Sequence, residues 1–330
     1  STNGKKIEEF DFTTNKQITI EAFPSPQELE KRAIEGRFGK LTNDPLKEPT
    51  HKGKFDLRYY QDVAVKRIIG AFLENKTNRF LVAMATGTGK TKVAFQTAWK
   101  LYQSKSIQKV LFITDRNFLV SNAVDEFEPF FNMDVADVIG QKGFSKNKDI
   151  HFSTYQALYG TEPENREFEK FDPDYFDLII IDECHRSGYG TWRAILDRFS
   201  KAKVIGMTAT PKRQDNIDTF EYFGEPVYEY SLGQGIEDGF LAPYRINKIY
   251  TNIDSKGGLD VKQAIKEGAI VHASKDTEVK DWYKISELWR TLILPDRTET
   301  IANHLADLLY TYGPEDKTMV FCITQEHARN

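Results

Sequence analysis

The chain has 330 residues, with 45 Lys and Arg against 49 Asp and Glu, a net charge of −4, and 40% hydrophobic and 28% charged residues. This is an ordinary globular composition with room for about two domains, and it excludes a disordered tail, a collagen-like repeat and a small disulfide-stapled fold. It also excludes a uniformly basic surface, so contact with a polyanion has to come from local clusters of Lys and Arg. Neither cysteine, Cys184 or Cys322, has a metal-ligand neighbour at zinc-site spacing, and a reducing compartment is expected. Apolar runs such as Leu178–Ile181 fall far short of the roughly 20 residues that span a bilayer. Residues 1–10 lack the apolar core of a signal peptide. A cytoplasmic protein with no membrane partner is the expectation.

Residues 1–22 alternate weakly around Ile18 and Ile20 and predict a strand pair without a core of its own, the tail of an upstream domain. Ser25 can cap a short helix with Pro26 in its first turn and Gly36 to stop it. Residues 38–54 then read as a linker, closing a linker-with-helix region of 23–54. From Leu57 the residues Tyr60, Ala64, Ile68 and Phe72 recur at helical spacing. Apolar runs at Phe80–Met84, Val110–Thr114, Ile150–Phe152, Asp177–Ile181 and Val204–Thr208 follow. Helical stretches over 89–103, 117–128 and 191–199 separate several of them. Short buried runs alternating with helices predict a parallel sheet covered on both faces, an α/β domain over 55–230. Glycines 224, 233, 235 and 239 punctuate a turn-rich passage, and 253–290 is polar and poorly periodic. A helix near Thr298–Tyr312 and a strand at Thr318–Cys322 make 231–330 a connector and the opening of a second α/β domain.

The strongest chemical signal is Met84-Ala85-Thr86-Gly87-Thr88-Gly89-Lys90-Thr91, between a strand and a helix. A phosphate-binding loop needs glycines so that backbone N–H groups can approach phosphate oxygens, a Lys for the β- and γ-phosphates, and a hydroxyl for Mg²⁺. The helix N-terminus adds its dipole beneath the anion. The strict pattern has Gly where Met84 stands, but every functional element remains. Further on, a buried strand ends in Asp182-Glu183-Cys184-His185, which sets two acids at the carboxyl edge of the sheet, where open α/β folds bind ligands. Asp182 is suited to hold Mg²⁺ through water, and Glu183 to orient and deprotonate an attacking water. An isolated His185 reads first as a hydrogen-bonded structural residue, and Cys184 as a small buried filler. A third strand ends in Thr208-Ala209-Thr210, a candidate relay between a nucleotide site and a polymer site. Upstream, Gln61 either reads an adenine edge, donating and accepting at once, or lies on the exposed side of its helix.

Leu57-Arg58-Tyr59-Tyr60-Gln61, the phosphate loop, Asp182-Glu183-Cys184-His185 and Thr208-Ala209-Thr210 occur in the order and spacing of superfamily 2 helicases and translocases. The chain resembles more closely still the motor (R) subunit of type I restriction enzymes. That family shows Asp-Glu-x-His-Arg-Ser, here Asp182–Ser187, and the same eight-residue loop. It also carries passages like Tyr222–Tyr228 and Ile236–Tyr244. The resemblance covers about 55–330, and residues 1–22 look like the end of that family's nuclease domain. It implies a RecA-like first domain over 55–230, then the beginning of a second one, with ATP and Mg²⁺ as cofactors. Carried over, Arg58, Gln61 and Thr86 to Thr91 bind the nucleotide; Lys90, Asp182 and Glu183 act on it; Thr91 and Asp182 hold Mg²⁺. His185, Thr208 and Thr210 take the coupling role. DNA contacts fall near Arg116, near Thr154 and Tyr155, and at Lys212, although loop residues of these types also serve as ordinary caps and turns. The implied activity is ATP-driven translocation of double-stranded DNA ahead of cleavage by a separate nuclease domain. The implied partners are a methyltransferase (M) subunit and a specificity (S) subunit. The family's later motifs, including its arginine finger, are expected beyond Asn330, so these residues alone are expected to bind Mg·ATP but hydrolyse it poorly. A superfamily 2 DNA-repair or RNA helicase is the alternative. A small-molecule kinase or nucleotide switch, and a non-catalytic DNA-binding module, leave some of the four motifs without a use.

Overall fold

A computed structural model describes residues 6–11, 16–38, 43–51, 56–127, 136–139, 147–160, 162, 165–184, 189–209, 219–251, 253, 256–273, 279–284, 287, 292–322 and 328–329. The chain divides into two compact units, Ser1–Pro243 and Tyr244–Asn330. The first unit begins with an antiparallel hairpin, β1 (Ile7–Asp11) and β2 (Lys16–Ile20), in register Ile7 opposite Ile20. Helix α1 (Pro26–Phe38) follows, and the Ser25 hydroxyl accepts from the backbone N–H of Glu28 at 3.1 Å, the capping expected of that serine.

The centre of the unit is a seven-stranded parallel sheet. Its strands are β3 (Arg79–Met84), β4 (Val110–Thr114), β5 (Ala136–Val138), β6 (Ile150–Thr154), β7 (Leu178–Ile181), β8 (Lys203–Thr208) and β9 (Pro226–Tyr230), in the spatial order β5-β6-β4-β7-β8-β3-β9. Every pairing within it is parallel. Successive side chains of a strand point to opposite faces, and here both faces are buried. Phe80, Val82 and Met84, Val110 and Phe112, Leu178 and Ile180, and Ile205 and Met207 share one apolar cluster with α2 (Tyr59–Glu74), α3 (Lys90–Gln103) and α4 (Asn117–Phe127). Leu81, Leu111, Ile113, Ile179, Ile181 and Val204 join a second with α5 (Tyr155–Tyr159), α6 (Tyr189–Arg198) and α7 (Thr219–Phe223). Near-continuous Val/Ile/Leu runs are what such two-sided burial requires. The five predicted strands are all present, and two further strands, β5 and β9, lie at the sheet's edges.

In a parallel sheet all strands run the same way, so their carboxyl ends share one edge. That edge carries Met84, Thr114, Thr154, Ile181, Thr208 and Tyr230, followed by the loops that sequence reading singled out. The passage after Tyr230 is not a connector but part of this unit. A short helix, α8 (Leu232–Glu237), is capped by Ser231, whose hydroxyl accepts from Gln234 N–H at 3.2 Å. Phe240 then packs against Tyr59 and Tyr60. The division therefore falls at Pro243 rather than after Tyr230.

In the second unit β10 (Gly258–Asp260) pairs antiparallel with β12 (Trp282–Lys284), and β11 (His272–Ala273) with β13 (Leu292–Ile293). With α9 (Val261–Lys266) these bury Leu259, Val261, Ala264, Tyr283, Leu292 and Leu294. The polar, poorly periodic stretch 253–290 thus supplies much of a small core. Helix α10 (Pro295–Tyr312) starts on Pro295 and includes the predicted helix. The predicted strand Thr318–Cys322 does not form. Its residues carry no strand pairing, and Met319, Val320 and Phe321 are exposed, because an apolar run becomes a strand only where a partner completes its ladder.

Candidate functional site

The loop between β3 and α3 turns on two left-handed glycines, Gly87 at φ 83° and Gly89 at φ 84°. A Cβ on Gly89 would stand 2.4 Å from Nε2 of Gln61, and one on Gly87 3.3 Å from Cδ2 of Leu241. Both positions therefore need glycine for their conformation, and Gly89 also for space. Thr88 is buried, and its hydroxyl donates to the Ala85 carbonyl at 2.6 Å, closing the loop on itself. The Ala85 N–H donates to the Tyr230 carbonyl at 3.0 Å, tying the loop to the end of β9. Thr86 and Gly87 face solvent at the crest, while Lys90 and Thr91 open the 14-residue helix α3.

The acidic pair is fixed by backbone bonds to both neighbouring strands. The Asp182 N–H donates to the Ile113 carbonyl at 2.9 Å, and the Cys184 N–H to the Met207 carbonyl at 3.0 Å. Between them Glu183 has φ 50°, a left-handed conformation costly for a side-chain-bearing residue. This turn brings the Glu183 carboxylate to 3.3 Å from Nζ of Lys90, so loop and acids meet across β8, which separates β3 from β7. Asp182 is buried, and its carboxyl is pushed up to about 6. Burial is the main cause and the negative charge of Glu183 adds to it; Lys90 and the Glu183 N–H oppose it, and Asp115 contributes a little more. Burial likewise pushes the Cys184 thiol up, in keeping with a structural filler.

Gln61 is buried, not on the exposed side of its helix. Its Oε1 accepts from the Arg58 N–H at 3.0 Å, and its Nε2 donates to the Thr88 carbonyl at 2.8 Å. Two of its four hydrogen-bonding capacities thus join the start of α2 to the loop. Arg58 lies with its guanidinium 4.9 Å from the Phe240 ring and donates to the Tyr60 hydroxyl at 3.0 Å. Sequence reading gave the segment from Ser231 to Leu241 no part in the site. Its glycines read as turn punctuation, whereas a Cβ on Gly235 would meet Leu241 at 2.6 Å, so that glycine serves close packing.

Thr208 ends β8, fully buried and in register with Ala83. His185, Thr210 and Lys212 lie outside the described residues. Of the expected DNA contacts, Arg116 is well exposed at the loop after β4, with Asp115 3.7 Å away. Thr154 and Tyr155 are both buried. The Thr154 hydroxyl caps α5 by accepting from Ala157 N–H at 3.2 Å, and the Tyr155 ring belongs to the core. In the first turn of α5, Gln156 is exposed.

A loop rich in left-handed glycines, a lysine and a helix N-terminus can cradle a polyphosphate. A hydroxyl and a carboxylate beside it can share a hydrated Mg²⁺, which usually takes few protein ligands. Among the described residues there is no cluster of three or more His, Cys, Asp or Glu that could hold a metal. No helix among the described residues is long and apolar enough to cross a membrane.

Residues 54–213 match the family model described as the res subunit of type III restriction enzymes. The chain is 40% identical over 324 residues to the EcoAI endonuclease subunit of a type I restriction enzyme from Escherichia coli, covering 95% of this chain and 38% of that protein. To the EcoKI endonuclease subunit of E. coli K12 it is 30% identical over 350 residues, covering 96% of this chain and 29% of that protein. A solved fragment described as an HsdR subunit of a type I restriction enzyme from Vibrio vulnificus YJ016 is 38% identical, with a TM-score of 0.68 over 99% of this chain and 54% of that one. The chain thus spans well under half the length of these two curated relatives. Nearly every residue of it is homologous to a segment of the endonuclease (R) subunit of type I restriction enzymes, and its first unit has the RecA-like α/β fold of superfamily 2 helicases.

Proposed function

We propose that the first unit is the ATPase of a double-stranded DNA translocase, working in a type I restriction complex with M and S subunits. The observation that carries this reading is the approach of Lys90 to Glu183, with Asp182 alongside, at the sheet edge where the glycine loop opens α3. Backbone N–H groups of Gly87 to Thr91 and the Lys90 ammonium bind the β- and γ-phosphates, and Gln61 and Arg58 take the adenine side. Thr91 and Asp182 hold Mg²⁺, which neutralises charge on the phosphate oxygens. Glu183 orients the attacking water and accepts its proton; its left-handed turn leaves the carboxylate 3.3 Å from the loop lysine. Binding of phosphate draws Lys90 from Glu183, which frees that carboxylate to act as the base. Thr208 lies at the next strand end, and the Cys184–Met207 bond joins the acid turn to the same strand. That strand end is the route by which the state of the nucleotide reaches bound DNA. Arg116 and Lys212 contact phosphates of the duplex, and target sequence is read by other subunits.

The reading is tested by steady-state ATPase of the complete R polypeptide with its M and S subunits. Linear duplex DNA bearing the recognition site should stimulate turnover by at least tenfold over single-stranded DNA or RNA. Equal or greater stimulation by single strands or RNA would assign the motor to a repair or RNA helicase instead.

A further inference from the structure

Tyr60 is fully buried in the first turn of α2, and a buried tyrosine hydroxyl needs a partner. Its hydroxyl donates to the carbonyl of Thr88 at 3.0 Å and accepts from Arg58. The same carbonyl accepts from Gln61 Nε2, so two donors from one helical turn hold a single peptide group of the loop. A trans peptide is planar, with its C=O and the following N–H on opposite sides. Fixing the Thr88 carbonyl toward α2 therefore fixes the Gly89 N–H away from it. Gly89 has no side chain to limit its torsions, so these two donors add a restraint on the peptide that its own residue does not supply.

The Tyr60 ring is itself held on two sides. It stacks on Tyr230, with centroids 4.0 Å apart and an interplanar angle of 7°, and packs edge-on to Phe240. The Tyr230 hydroxyl donates to Asp238 at 2.7 Å, and the Tyr59 hydroxyl donates to the same carboxylate oxygen. These two bonds, that of Tyr59 foremost, hold the Asp238 carboxyl below the usual carboxylate range. Asp238 thus ties the first turn of α2 to the end of β9 and to the segment after it, which at Leu241 approaches Gly87.

We propose that Tyr60 is a positioning residue for the phosphate loop: it sets the Gly89 N–H in the direction a phosphate oxygen needs, and Tyr230 and Asp238 set Tyr60. The proposal rests on reading the loop as a polyphosphate site. Tyr60 acts on the polyphosphate end of the ligand; Arg58 also bonds the Tyr60 hydroxyl, but its contact with the Phe240 ring does not involve that hydroxyl.

The test is displacement of fluorescent methylanthraniloyl-ADP from the protein by ADP, inorganic pyrophosphate or adenosine, for the wild type and for Tyr60→Phe. The phenylalanine keeps both ring contacts, and thermal melting of the variant is recorded alongside. Inhibition constants for pyrophosphate and ADP should rise about fivefold in the variant, the factor that one hydrogen bond of about 1 kcal/mol supplies. That for adenosine should stay within about twofold. Equal weakening of all three competitors, or no change in any, would overturn the positioning role while the nucleotide site stands. Failure of the wild type to bind the fluorescent nucleotide would overturn the site itself and the proposal with it, and is seen before any variant is compared.

Discussion

Lys90→Ala should reduce DNA-stimulated ATP turnover at least a hundredfold and abolish ATP-dependent translocation in the complete R polypeptide. A single preorganised donor aimed at developing negative charge is worth about two to three orders of magnitude in rate, and Lys90 is a full positive charge in a nearly buried position. The same substitution leaves Asp182 and Glu183 side by side with no cation between them. Lys90 now lowers the Asp182 carboxyl, so its removal should move that group further above about 6. The fold should survive, because the sheet and its two apolar clusters do not depend on the loop lysine and Asp182 can take up a proton. Turnover and translocation assays, with circular dichroism melting as the control, check all of this. Full translocation by the variant would end the mechanism proposed here.

Glu183→Gln should separate binding from chemistry. The amide keeps the size of the carboxylate, releases Lys90 from its ion pair and removes the base. Nucleotide affinity should therefore stay equal or tighten, while turnover falls about 10²- to 10⁴-fold, the range of general-base contributions. A pH signature accompanies it. Asp182 is raised in the folded protein from 3.8 to about 6, so the stability this group contributes is present below the unfolded value and is lost as pH rises through about 6. Above that pH the buried carboxylate is ionised and a divalent cation relieves its cost, so Mg²⁺ should stabilise the nucleotide-bound protein more at pH 7 than at pH 5. Glu183 is the second cause of the raised value, so in the glutamine variant the Mg²⁺ effect should persist to lower pH. Thermal shift with and without Mg²⁺ across pH 5–8 reads this out, and an unchanged profile in the variant would contradict the coupling.

Much of this site was legible in the sequence because its parts are short and tied to strand ends. A parallel sheet puts every strand's carboxyl end on one edge, so recognising the strands before Thr86, Asp182 and Thr208 was enough to bring those residues together. The sheet's interior strands were equally plain, being unbroken apolar runs. Strand β9 was not, because Pro226, Tyr228 and Glu229 at a half-exposed edge follow no single-face pattern. Nor was the segment after it, whose side chains matter through distant partners: Asp238 bonds residues of α2 and β9, and Leu241 approaches Gly87. Two local cues did exist. A glutamine three residues into a helix is placed to cap it, as Gln61 does, and a core tyrosine such as Tyr60 implies a hydroxyl partner. Thr154 and Tyr155, a cap and a core ring, carry residue types that also suit a polyanion contact, so residue type alone does not separate the two uses. Thr318–Cys322 shows that a strand-like run is not a strand until something pairs with it.

The most direct test is a crystal structure with Mg²⁺ and ADP. The β-phosphate should lie within hydrogen-bond distance of the N–H groups from Gly87 to Thr91, with Lys90 moved from Glu183 onto phosphate, Mg²⁺ beside Thr91 and Asp182, and the Thr88 carbonyl still held by Tyr60 and Gln61. Nucleotide bound elsewhere, or Lys90 still paired with Glu183 while the loop stands empty at saturating Mg·ADP, would contradict the assignment of this edge as the ATP site.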